Sequence, residues 1–459
     1  MKKIDTQKSG ETRLGYIGLS ALVFGMMVGA GIFNIPQNMA AGAGPGAVLV
    51  AWGITAAGML LLVATFKSLA DSHPSLDAGI YQYAAEGYGS FSGFLTAWGY
   101  WLCTCFANVA YAVMLNDTVG AFFPRLLDHG WPTVAFGSVL IWGICLVVMA
   151  GLRTAKIITT IMAAVKMLAI ALIAVLLFAN LKAGMFTADF WGHSGGVGPL
   201  LEQVKSTMLV TLWCFIGIEG AVMMAGRARR SSDVGKAGIT GFLAAWLLYV
   251  LVSLSSFGVM GRAELAGLEN PSVAYLLDSI CGPWAYYMVI AAVILSLTGG
   301  WAAWTLVCAE VPYTAARTGL LSRRFMKLNS HGTPARGLVV SSVVMQLFLL
   351  LVVTADDVYL TALNITGMMI LPAYLVSGLF LWKAERKWTG LLCAAFCAWM
   401  IYAGGLTLLM QTSVFYLAGL GFYVTSRRRA GLFPLRRDKW LLAILLAFAC
   451  ASALLSFVD

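Results

Sequence analysis

Apolar residues run along this chain in long unbroken stretches, near 15–40, 46–69, 91–116, 132–151, 157–180, 203–225, 237–258, 281–312, 335–354, 358–381, 388–408, 410–425 and 440–458. Most of them approach or exceed the roughly 20 residues that an α-helix needs to cross a hydrocarbon core of about 30 Å. Polar connections, most of them short, separate them. The runs are continuous, whereas the strands of a transmembrane β-barrel alternate apolar and polar positions over about 10 residues. In lipid a backbone must satisfy its own N–H and C=O groups, which leaves the helix as the spanning element for such runs. The pattern therefore predicts an all-α polytopic membrane protein of about 12–13 transmembrane spans.

Two of these stretches are interrupted. In the first, VFGMMVGAGIFNIP carries Gly25, Gly29 and Gly31, followed by Pro36. In the sixth, Gly217 and Gly220 bracket Ile218 and Glu219. Glu219 is a lone carboxylate in an apolar run, and an acid at mid-membrane costs roughly 2.5–3.5 kcal/mol on insertion scales, so it is expected to face a protein interior or a wet cavity. Interrupted helices at corresponding places in two halves of a membrane protein point to a transport site. A half-helix starting near Ile32 would present free N–H groups and a positive dipole end to a carboxylate. Carbonyls released after Val28 and near Phe215 would suit an ammonium. Ala30, Gly31 and Ile32 in the first break and Ile216 in the second are thus the expected grip on the main-chain ends of a free amino acid. The plainer alternative is close helix packing through small residues, which Gly25-x-x-x-Gly29 also fits.

Composition agrees with a bilayer environment: 60% of residues are hydrophobic and 11% charged, and the mean hydropathy is +0.85. The net charge of +10 raises the question of nucleic acid, but its distribution answers it. With the N-terminal residues 1–14 placed on the cytoplasmic side, 25 of the 30 Lys and Arg fall on that side. Only Arg125, Lys182 and Arg262 fall outside, and Lys166 and Lys205 lie in or at the edge of spans. That is the positive-inside bias, and no nucleic-acid partner is expected. The polar start leads into a span too long for a signal core, so no cleavable signal peptide is expected. The nine cysteines lie in or at the ends of apolar spans, and the four histidines do not cluster. No metal-ligand spacing, nucleophile–base pair or phosphate loop emerges, so neither a metal, a cofactor nor an enzymatic activity is expected. Lys166 is the second buried charge. It stands about ten residues into the fifth span, too deep for its stem to reach the interface easily, and a buried ammonium needs partners.

The segments GAGIFNIPQNMAAGAGPGAVLVAW, DAGIYQYAAEGYG, TLWCFIGIEGA, GRARRSSDVGKA and HGTPARGLV resemble, in this order, the amino acid–polyamine–organocation transporters, and most closely their basic amino acid antiporters of the arginine/ornithine kind. The resemblance covers residues 15–425. It implies a LeuT-type fold of two inverted five-helix repeats, residues 15–180 and 203–381, followed by accessory helices in 388–458. It also implies roles. Trp213 falls on the residue that closes over substrate, Trp304 on one that stacks on a guanidinium, Tyr100 on a gating tyrosine and Asn108 on a polar substrate contact. Glu219 falls on an acid that responds to protons, and Lys166 on a lysine that stands where sodium sits in sodium-coupled members and whose deprotonation would couple protons.

Aromatic faces suit a cationic side chain because a desolvated cation–π contact contributes roughly 0.5–2 kcal/mol and stays reversible. Met26 and Ala30 depart from the polar residues of the arginine/agmatine antiporters, and Ala30 leaves only backbone N–H groups for a carboxylate. That difference favours an amino acid such as ornithine over a decarboxylated amine as exchange partner. The expected function is exchange of cationic amino acids across the inner membrane, arginine for ornithine, by alternating access. Lysine or histidine antiport with the corresponding amine, and proton-coupled amino acid import, are the alternatives. The expected partners are basic amino acids and the lipid bilayer, with a homodimer as one assembly state.

Overall fold

The computed structural model describes residues 15–74, 76, 79–128, 130–151, 155–193, 196–219, 231–352, 358–429 and 439–455. Among them every regular element is helical. Five sequence-level expectations lie outside the described residues: the N-terminal segment 1–14, Gly220 with the rest of the sixth stretch to 225, the basic residues Arg153, Arg227, Arg229 and Arg230, the pair Arg436 and Arg437, and the end of the last stretch at 456–458.

In chain order the helices are α1 (Tyr16–Met27), α2 (Ile35–Ala40), α3 (Pro45–Ser72), α4 (Ile80–Tyr88), α5 (Ser90–Gly120), α6 (Trp131–Met149), α7 (Ala155–Ala179), α8 (Ala183–Ala188), α9 (Leu200–Trp213), α10 (Ser231–Val259), α11 (Arg262–Ala266), α12 (Ser272–Cys281), α13 (Pro283–Arg317), α14 (Ala335–Val352), α15 (Val358–Glu385), α16 (Trp388–Gly404), α17 (Leu406–Ala418), α18 (Leu420–Arg429) and α19 (Lys439–Leu455). Each of the thirteen apolar stretches carries helix among its described residues. Seven of the helical segments are long and apolar enough to cross a membrane, and six shorter ones are equally apolar. The connections between the long apolar runs hold four short helices, α4, α8, α11 and α12.

Local chemistry marks the helix starts. Pro45, Pro132 and Pro283 sit in the first turns of α3, α6 and α13, where the missing proline N–H has no intrahelical partner to lose. The arrangement is centred on α5, whose most apolar window is 100% buried. Helices α15, α13, α4, α14 and α6 all pack on it. Around this centre α1 lies on α10, α3 on α9, and α7 on α13 and α10. The short helix α2 is held by α10 and α11, and the Arg262 guanidinium donates to the Ala40 carbonyl at 2.9 Å. The last helix, α19, packs on α17.

The two glycine-bearing stretches are the ones that break. Helix α1 stops at Met27, Val28 and Gly29 are extended or bent, a 3-10 turn covers Ala30–Phe33, and α2 resumes at Ile35. Helix α9 stops at Trp213, and residues 214–219 form a chain of turns. The expected unwinding after Val28 and near Phe215 is therefore present in both.

Candidate functional site

Where α1 ends, its carbonyls lose their helical partners and find others. The Lys166 ammonium, on α7, donates to the Val28 carbonyl at 2.6 Å and to the Gly25 carbonyl at 3.4 Å. The Tyr249 hydroxyl, on α10, donates to the Met27 carbonyl at 2.9 Å. Lys166 is only 8% exposed, so these oxygens supply the partners that a buried ammonium requires. Three of the carbonyls at the break are thus taken by side chains. On the far side of the break the 3-10 turn opens with the N–H groups of Ala30 and Gly31, which precede its first i+3 bond and have no carbonyl in a preceding turn, while the Ile32 N–H lies within the turn.

The breaks face each other. Gly217 has φ of +111°, and a Cβ built there would lie 3.2 Å from the Met26 carbonyl oxygen and 3.3 Å from the Trp304 ring. An L side chain is strained in that conformation and would press on the first break. A Cβ on Gly31 would lie 2.8 Å from Trp213 Nε1, so the indole rests on the glycine surface itself. Between these contacts is a cavity of about 20 Å³, lined by Met26, Met27, Gly29, Gly31, Ala107, Tyr111, Trp213, Cys214, Ile216, Tyr249 and Trp304. About 10–15 Å³ on this measure admits one water, so the chamber is narrow in this conformation. Its walls are aromatic and apolar, and its polar groups are the hydroxyls of Tyr111 and Tyr249, the Trp213 indole N–H and the exposed backbone of the breaks. That combination suits a small zwitterion carrying a delocalised cation.

Four of the expected substrate residues, Gly31, Trp213, Ile216 and Trp304, line this chamber, and Ala30 and Ile32 adjoin it in the 3-10 turn. Tyr100 and Asn108, both on α5, do not line it. Asn108 donates to the Thr104 carbonyl at 2.7 Å and to Cys308 Sγ at 3.2 Å, and its Oδ1 accepts from the Thr305 hydroxyl at 2.9 Å. It joins α5 to α13, one residue from the lining Ala107. Trp101 donates to the Ser341 hydroxyl at 2.8 Å and belongs to the packing of α5 on α14.

Glu219 is 4% exposed and is held from three directions. The Tyr100 hydroxyl donates to Oε1 at 2.9 Å, the Tyr374 hydroxyl to Oε2 at 2.7 Å, and the Gly217 N–H to Oε2 at 3.1 Å. Three donors from α5, α15 and the unwound segment satisfy a carboxylate that burial would otherwise penalise heavily. They also lock three parts of the bundle to one another at a single residue. Tyr374 had no signal in the sequence beyond being a tyrosine in an apolar helix. Tyr111 and Tyr249 escaped notice in the same way, since their apolar neighbours give no hint of what they face.

The 3-10 turn continues into a second polar feature. Asn34 and Asn38 stand one helical turn apart and are 0% and 5% exposed. Neither amide has a hydrogen-bond partner among the described residues.

Comparison with known proteins places this geometry among transporters. Residues 14–458 match the family model described as amino acid permease. An arginine/agmatine antiporter of Chlamydia abortus is 40% identical over 444 aligned residues, covering 92% of this chain and 91% of its own. Another of the same name, from Chlamydia trachomatis serovar L2, is 39% identical over 472 aligned positions and covers 98% of each chain. Among solved structures, a sodium-coupled sialic acid symporter in a substrate-bound outward-open state superposes with a TM-score of 0.55 at 13% identity, covering 86% of this chain and 90% of that one. A nucleobase-cation-symport-1 family transporter in a closed conformation gives 0.55 at 15% identity, covering 93% and 95%. At such identities the likeness is one of fold, and the fold is the LeuT-type arrangement of two inverted five-helix repeats with accessory helices.

Proposed function

The chain belongs to the amino acid permease family, whose members are transporters and not enzymes, and from that premise we propose that it exchanges arginine for a second cationic metabolite by alternating access. The observation that carries this reading is the narrow chamber between the two breaks, with Trp213 on Gly31 and Trp304 against Gly217. In the proposed cycle the N–H groups of Ala30 and Gly31, with Ile32 beside them, hold the substrate carboxylate, and Trp304 faces the guanidinium. The remaining free backbone, including the Met26 carbonyl, takes the ammonium, because Lys166 and Tyr249 already occupy those of Val28 and Met27. Trp213 closes over the substrate. The repeats, residues 15–180 and 203–381, then rock against each other with the accessory helices 388–458 outside the motion.

Glu219 serves in this scheme as the latch that couples the second break to α5 and α15. A carboxylate accepts from all three of its donors, whereas a protonated carboxyl must itself donate, so protonation loosens the latch. Lys166 supplies a positive charge to the first break, which makes a sodium ion there unnecessary. Asn108 acts by positioning Ala107 and α13.

We take ornithine as the exchange partner, because Ala30 leaves the first break with backbone donors that favour a ligand bearing a carboxylate. Agmatine is the second reading, favoured by the names of the Chlamydia relatives. The positive-inside bias supports a cytoplasmic N-terminus, and we take the membrane to be the inner one. The test is uptake of radiolabelled arginine into proteoliposomes preloaded with ornithine, agmatine, lysine or nothing. Uptake that needs internal ornithine supports the reading. Uptake into empty vesicles driven by an imposed pH gradient would replace it with proton-coupled import.

A further inference from the structure

A groove of about 850 Å³ opens far from the chamber, at the end of the bundle where α14 begins and α18 ends. Its lining changes character along its length. Arg336 at the start of α14 and Thr425 and Ser426 near the end of α18 line it together with Arg324, and Val339 and Phe422 line it about one helical turn further in. The last two are 38% and 51% exposed and continue the apolar outer surface of their helices.

The charged end has no counterion of its own. No Asp or Glu occurs in residues 311–355 or 386–437, the segments that form both walls. Among the described residues neither arginine is ion-paired with a carboxylate. Arg336 moreover lies in the first turn of α14, where the helix dipole disfavours a cation and favours an anion. Arg323, Lys327, Arg427 and Arg428 stand nearby in the chain and add to the positive field.

We propose that this groove binds an anionic glycerophospholipid, with its phosphodiester between Arg324 and Arg336 and an acyl chain along Val339 and Phe422. A ligand that satisfies both ends must be acidic at one and apolar at the other. Basic clefts between spanning helices on the positively charged side of a membrane protein meet anionic headgroups in the adjacent leaflet. A free phosphate would leave the apolar half uncovered, and an uncharged lipid would leave the arginines without an anion. The proposal is independent of the transported substrate.

The experiment uses the full-length protein, purified and examined by native mass spectrometry and thermal unfolding with phosphatidylglycerol or phosphatidylcholine added. Wild type is expected to retain phosphatidylglycerol and to unfold at a higher temperature with it than with phosphatidylcholine. Arg324→Gln/Arg336→Gln should lower that retention at least tenfold and abolish the thermal difference. Val339→Trp, which fills the apolar half and keeps both charges, should lower retention as well. Equal retention by wild type and both variants would overturn the proposal. So would an equal loss in Arg323→Gln/Lys327→Gln, which would mean diffuse attraction to the basic surface, or equal stabilisation by inorganic phosphate.

Discussion

Glu219 has both carboxylate oxygens engaged by protein donors, and Lys166 has its ammonium on two backbone carbonyls. Neither charge is left for a substrate to neutralise permanently, which leaves recognition of a cationic side chain to aromatic faces. Trp304→Leu is therefore expected to raise KM for arginine about 2- to 30-fold, the range that a contact of roughly 0.5–2 kcal/mol implies. Concentration-dependent uptake checks it, and an unchanged KM would remove Trp304 from recognition. Lys166→Ala takes away the charge that holds the Val28 carbonyl. Its expected phenotype is arginine binding by calorimetry with exchange lost, and normal exchange would deny the lysine any coupling role. Asn34 and Asn38 make the opposite kind of prediction. A buried amide without partners costs about 1–3 kcal/mol for each unsatisfied group, so Asn34→Leu should raise the thermal midpoint in detergent if the amide stays dry. A lower midpoint would mean that the amide is solvated or bonded in the working protein.

At the scale of elements, the bonds from Tyr100, Tyr374 and Gly217 to one carboxylate tie α5, α15 and the unwound segment after α9 together. Hydrogen bonds to a charged group contribute about 1.5–3 kcal/mol each, so Tyr374→Phe should loosen this junction and change the rate of exchange more than the affinity for arginine. Glu219→Gln should flatten the pH dependence of exchange, because the residue then has no proton to take up. A wild-type rate that is flat with pH, or a variant rate that still rises on acidification, would take Glu219 out of proton sensing.

The helices and both breaks were legible from sequence because lipid imposes a simple rule: long apolar runs must be helical, and glycines clustered in such runs allow unwinding. Trp213 and Trp304 could be singled out because they lie within or beside recognisable motifs. Tyr374, Tyr249 and Tyr111 could not. Each is one tyrosine on an apolar helix, and what it faces depends on how helices far apart in sequence cross. The same holds for Asn108, whose polar side chain was expected to meet substrate and instead joins α5 to α13. The short helices α4, α8, α11 and α12 lie between the long apolar runs, and at 5 to 10 residues each is too short to read as a span.

For the whole molecule, the net charge moved per cycle separates the two exchange readings. Arginine and ornithine each carry one net positive charge at neutral pH, so their exchange is electrically silent. Agmatine carries two, and exchanging it for arginine moves one charge, worth about 2.3 kcal/mol per 100 mV. Clamping proteoliposomes with potassium and valinomycin should leave arginine/ornithine exchange unchanged. A rate that follows the imposed voltage would favour the amine.

The indole of Trp213 seated on Gly31 bears on the bilayer as an insulator. With space for about one water in the cavity between the two helix breaks, that cavity holds no file of solvent in this conformation. Vesicles holding the protein and no substrate should thus keep an imposed acid gradient as long as vesicles of lipid alone, and a cell could express it densely without short-circuiting its own energy supply.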